Sequence, residues 1–113
     1  MPLKGPQVSK AGIHRVEGRF KVSGELTFAT VTGVLGESRE LFTQAGESIE
    51  VELQEVGRVD SAGLALLIEW MREAHSQGKS IRFFDLPQQM MAIAAASDLD
   101  TILPLSSGDV EPS

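Results

Sequence analysis

Apolar and polar residues alternate along Val51-Glu-Leu-Gln54, with Val51 and Leu53 on one side and Glu52 and Gln54 on the other. A period of two predicts a half-buried strand, placed here over Ser48 to Val56. Ile13–Val16 and Arg19–Ser23 predict two shorter strands around a turn at Glu17-Gly18, with Phe20 and Val22 on one face. Ser23-Gly24-Glu25-Leu26 closes the second, and Ser80–Phe84 predicts another short strand. Between the strands the spacing becomes helical. Val31, Val34, Leu35, Ser38, Leu41, Phe42 and Ala45 predict a helix from about Phe28 to Ala45, stopped by Gly46. Gly33 and Gly36 work against it, each by about 1 kcal/mol relative to Ala. Leu64, Leu67, Ile68, Met71 and Ala74 predict a second helix from about Ala62 to Ser76, ended by Gly78. Pro87 suits the first position of a third helix, with Met90, Met91, Ala94 and Asp98 at helical spacing. Leu99–Leu103 ends the domain.

The predicted order is β-β-α-β-α-β-α. Strand-helix-strand units of this length imply parallel pairs with right-handed crossovers. The expected fold is a small single α/β domain with one mixed sheet of four to five strands and helices mainly on one face. It would span residues 13–105, after a loose segment at 1–12 rich in Pro, Gly and Lys and before a flexible tail at 106–113.

Charge narrows the function classes. The net charge is -6 and the basic residues are scattered singly, so the basic stripe of a nucleic-acid binder is missing. The chain has no cysteine, which excludes disulfides, thiolate catalysis and Cys-ligated zinc. His14 and His75 lie without metal-ligand spacing, so no metal site is expected. No apolar run approaches the roughly 20 residues of a membrane-spanning helix, and the N-terminus lacks the apolar core of a signal peptide. The expected location is cytoplasmic, with any membrane contact made through a partner.

The most informative chemistry is Asp60-Ser61-Ala62-Gly63, a tight turn between strand and helix. Backbone N–H groups are free at a helix start, and anions are favoured there. Ser61 has two compatible readings: a helix cap shared with Asp60, contributing about 1 kcal/mol, or an exposed hydroxyl open to a partner or kinase. A hydrolase elbow is disfavoured, because Val59 stands where Gly-x-Ser-x-Gly needs its first glycine. No Gly-x-x-x-x-Gly-Lys-Ser/Thr phosphate loop occurs either. No catalytic set of nucleophile, base and oxyanion donors can be assembled, so neither enzyme activity nor a cofactor is expected.

The pattern Val51-x-Leu53-x-x-Val56-x-x-Val59-Asp60-Ser61-Ala62-Gly63-Leu64 resembles the signature of the STAS domain, a strand ending in Asp-Ser/Thr-Ser/Ala/Gly-Gly before a helix. The resemblance covers roughly Ile13 to Leu105. Ala-Gly-Leu-Ala-Leu-Leu-Ile-Glu-Trp, Gly-Lys-Ser-Ile-Arg-Phe and Leu-Pro-Gln-Gln-Met are most similar to the MlaB-like branch. That resemblance implies a non-catalytic subunit docked on the cytoplasmic ATPase of a phospholipid-transport ABC complex in Gram-negative bacteria. The role implied is to support assembly and activity, and so to maintain the lipid asymmetry of the outer membrane. The alternative it implies is an anti-sigma-factor antagonist switched by phosphorylation of Ser61. Ala62 in place of a second serine, and Glu52 and Gln54 in place of Asp and Ser, depart from the antagonist pattern. Some STAS domains are reported to bind nucleotide, but no motif supports that here.

The helix after the turn extends the candidate surface. Its core cluster is Leu64, Leu67, Ile68 and Met71; Leu66 and Trp70 fall off its centre, beside Ala62. Trp70 has two open readings, packing against a neighbouring helix or anchoring a partner. The expected partner-binding set is Asp60, Ser61, Ala62, Gly63, Leu66 and Trp70. Glu50, Glu52 and Glu55 form an acidic stretch of the kind that lies on a solvated sheet face.

Overall fold

A computed structural model of the chain describes residues 10–106; the segment 1–9 and the tail 107–113 lie outside it. Among the described residues, five strands and three helices follow in the order β1 (Ala11–Val16), β2 (Arg19–Leu26), α1 (Val31–Gln44), β3 (Ser48–Val59), α2 (Ser61–Ser76), β4 (Ser80–Phe84), α3 (Gln88–Ala96) and β5 (Leu105–Ser106). The sheet order is β1-β2-β3-β4-β5, antiparallel between β1 and β2 and parallel elsewhere. Crossovers of one hand that always advance in one direction leave their helices on one side of the sheet. Burial agrees: Ile49, Val51 and Leu53 are sealed from solvent, while Glu50, Glu52 and Gln54 between them are not.

The element boundaries depart from expectation for identifiable reasons. β1 begins at Ala11, and β5 follows Leu103 as a short parallel strand against Phe83 and Phe84. β3 runs on to Val59, three residues beyond the alternating stretch, because two register shifts break its period. Lys21 and Ser23 face Glu52 and Glu55, and Gly24 and Leu26 face Val56 and Val59, so three steps on β3 answer two on β2. Val56 and Val59 therefore both enter the core, although they are three apart. α1 begins at Val31 rather than Phe28, because hydroxyls in Thr27–Thr30 hold the preceding residues in a turn. Asp98 lies past the end of α3 with φ 59°, outside the helix it was expected to continue.

The helix ends are satisfied differently. α2 stops as expected: Gly78 takes φ +70°, and its N–H bonds the His75 carbonyl at 3.0 Å. α1 has no left-handed residue at Gly46 and no basic residue in its last turn. Lys79 does that work from the far side of α2, its Nζ donating to the carbonyls of Phe42 at 2.6 Å, Thr43 at 3.2 Å and Ala45 at 2.9 Å. A cation on the last carbonyls also opposes the negative end of the helix dipole. Lys79→Met keeps the aliphatic stem and removes the three bonds; it should lower unfolding free energy by about 1–2 kcal/mol, read from urea denaturation.

The core is aromatic at its centre. Phe20, Phe42, Trp70 and Phe83 form a continuous row of ring contacts, edge-to-face at the first two and stacked at the third, with centroids 5.1, 5.5 and 6.4 Å apart in turn. The opposite sheet face is a charged ladder. Arg19 reaches Glu50 at 3.1 Å and Glu52 at 3.3 Å, and Lys21 reaches Glu52 at 3.6 Å and Glu55 at 3.7 Å. Arg19 also lies 4.0 Å from the Phe84 ring centroid, shielding the large apolar residue on that face. The acidic stretch is thus an ion-paired outer surface.

Candidate functional site

β2 and β3 end side by side, with Leu26 opposite Val59, and the chain leaves each toward a helix. Asp60 ties the two exits together. Its N–H donates to the Leu26 carbonyl at 3.2 Å. One carboxylate oxygen accepts from the Ala62 N–H at 2.8 Å, and the other accepts from the Phe28 N–H at 3.2 Å. The extended backbone of Asp60, φ -132° and ψ -168°, gives it the cap of α2 alone. Ser61 is consequently the first helical residue and not a shared cap. It is exposed, and among the described residues its hydroxyl has no hydrogen-bond partner.

The neighbouring turn is equally tied down. Thr27 N–H donates to Thr30 Oγ1 at 3.0 Å, and that hydroxyl donates to the Glu25 carbonyl at 2.6 Å. Ala29 N–H bonds Thr27 Oγ1 at 3.3 Å. Gly63 is buried because α2 starts hard against β2: a Cβ there would lie 2.6 Å from the Leu26 carbonyl oxygen.

An open cleft of about 450 Å³ runs from this corner between α1 and α2. Val31, Leu35, Ala62, Ala65 and Leu66 give it apolar walls, and Thr32, Arg39 and Glu69 add polar ones. Arg39 Nε pairs with Glu73 at 2.9 Å across the two helices. Leu66 is 4% exposed and belongs to the cleft lining without protruding from it. Trp70 does not belong to the surface. It is fully buried, and its indole N–H donates to Ser38 Oγ at 2.7 Å. Docking through the Trp70 side chain is therefore corrected to core packing; the α1 and α2 layer closes over it. Of the expected set, Asp60, Ser61, Ala62 and Gly63 are gathered at the corner, with Leu66 beside them.

Phe28 was missed. It is 86% exposed at the mouth of the cleft. Its spacing of three from Val31 fits a helical core position, which concealed it; the flanking Thr27 and Thr30 were the signal of a turn.

Among the described residues no group of three His, Asp or Glu side chains could hold a metal ion. Among them also, no helix is long and apolar enough to cross a membrane.

Fold and corner together define a one-sided α/β domain of the STAS type. The family described as "Mlab, STAS domain" matches residues 9–104, and the chain belongs to it. The anti-sigma-factor antagonist SpoIIAA, solved in its unphosphorylated form, is similar in fold: TM-score 0.66, 17% identity, 86% of each chain covered. A crystal structure of Mglu matches with TM-score 0.52 and 22% identity over 68% of this chain, which spans 19% of that one. No curated protein matches the chain.

Proposed function

We propose that this protein is a non-catalytic docking subunit, bound at the cytoplasmic face of the inner membrane to the ATPase subunit of a phospholipid-transport ABC complex. There it supports assembly and activity, and so maintains outer-membrane lipid asymmetry. The observation that carries this reading is the corner itself. A serine whose hydroxyl has no hydrogen-bond partner among the described residues stands at the first position of α2, next to Ala62, which lines the cleft. Such a surface suits a protein partner, which would supply the nucleotide chemistry. Affinity capture of the tagged chain from its own cells tests the reading. Recovery of a transporter ATPase with its permease is expected; recovery of a serine-kinase anti-sigma factor in their place would reverse it.

That second outcome belongs to the alternative reading, an antagonist switched by phosphorylation of Ser61. The exposed hydroxyl favours it. A phosphate at the first position of α2 meets the positive end of the helix dipole, so the fold tolerates it, while the added charge beside Asp60 opposes docking. Under either reading Ser61→Asp should weaken partner binding and move the thermal midpoint by less than about 2 °C. Loss of the helical circular-dichroism signal in this variant would contradict the assignment of Ser61 to an exposed docking corner.

A further inference from the structure

We infer that Phe28 is the aromatic anchor of this docking face, held out by Asp60 to enter an apolar socket with a cationic rim on the partner protein. The inference rests on the transporter reading and specifies what the partner must present.

An aromatic ring left 86% exposed forgoes the gain that burial would bring, and nothing within the described chain covers it. Ile102 is the other large exposed apolar side chain among the described residues, at 51%. The Ile102 N–H is bonded only locally, to the Leu99 carbonyl at 3.2 Å, whereas the Phe28 backbone is tied to a residue 32 positions away and Phe28 lines the cleft. Asp60 accepts its N–H, and Thr27 and Thr30 bond the turn on both sides. A ring presented from an ordered turn gives up little further freedom on binding. It also stands at the mouth of the cleft, so a partner enclosing it also reaches the apolar lining of Val31, Leu35 and Leu66. Aromatic side chains in such central, enclosed positions dominate interface energetics.

Charge identifies the class of surface that fits. Asp60, α1 and α2 together carry Asp60, Glu37, Glu40, Glu69 and Glu73 against Arg39 and Arg72. Both arginines are already engaged, Arg39 with Glu73 and Arg72 with Glu69. The helical layer therefore has an acidic surplus. It attracts a lysine- or arginine-bearing rim and is repelled by an anionic lipid surface. The occupant is a basic protein surface and not the bilayer.

The test uses the full chain with the purified ATPase–permease complex. Phe28→Ala and Phe28→Leu are compared with wild type by Kd at about 50 and 500 mM salt, with thermal midpoints as the folding control. Phe28→Ala should bind about 10- to 100-fold more weakly at an unchanged midpoint. Leu should fall between, and wild-type affinity should drop as salt rises. Wild-type affinity in Phe28→Ala, or no response to salt, overturns the anchor or its cationic rim and leaves the transporter reading standing. Wild type failing to bind the complex overturns the transporter reading and this inference with it. Phe28-dependent binding to vesicles of anionic phospholipid, without binding to the complex, assigns the ring to a membrane and also overturns the inference.

Discussion

Trp70→Ala should cost about 3–5 kcal/mol of stability, the largest loss expected from any single change described for this chain. The indole is fully buried, between Phe42 at 5.5 Å and Phe83 at 6.4 Å, where it links the α1 layer to the sheet. Truncation opens a cavity in the middle of the row of aromatic rings and removes the donor to Ser38 Oγ. A small domain has about 5–15 kcal/mol to lose, so the variant should unfold at much lower urea and populate the unfolded state near body temperature. Trp70→Phe keeps most of the ring contact and gives up the bond to Ser38; about 1–2 kcal/mol is expected for it. The comparison separates core from interface. If Trp70→Ala held its urea midpoint while losing its partner, the side chain would have to be a surface anchor after all.

Gly63→Ala is expected to follow, at about 2–4 kcal/mol. A Cβ would sit 2.6 Å from the Leu26 carbonyl oxygen, 3.1 Å from Leu26 Cβ and 3.4 Å from Met90 Cε. The first contact is with backbone, so a rotamer change cannot relieve it; α2 must retreat from β2. That movement stretches the Asp60 N–H bond to Leu26 and pulls the Asp60 carboxylate from Phe28. Stability and docking should therefore fall together in this variant, in contrast to Phe28→Ala, where binding alone falls. Urea unfolding combined with Kd for the same preparation checks both parts. A Gly63→Ala protein with wild-type stability would mean that the approach of helix to strand is looser than the described packing.

Much of the fold was legible from residue order. The α2 stripe, the β3 alternation, the stop at Gly78 and the Asp60–Gly63 turn each follow from local periodicity or backbone chemistry. The candidate corner was legible for the same reason: all four of its residues are contiguous, and an Asp before a helix start has a local job. What escaped was set by contacts distant in sequence. α1 ends just before Gly46 as expected, but its last carbonyls are satisfied by Lys79 from beyond α2 and not by a left-handed glycine. Phe28, given no role beyond the expected start of α1, is exposed, and of the two readings open for Trp70 the structure shows core packing.

The sequence by itself determined the α/β class, the order of elements and the strand-to-helix turn bearing Ser61, because these depend on neighbours within a few residues. Tertiary structure decided which aromatic faces solvent and which helix end Lys79 serves. It also decided that the Asp60 carboxylate spans two loops. Each depends on groups about 30 residues apart or more meeting in space, such as Trp70 with Ser38, Lys79 with Phe42 and Asp60 with Phe28. Periodicity along one element specifies a direction on that element; only packing against the others says whether that direction leads into the core or to a partner.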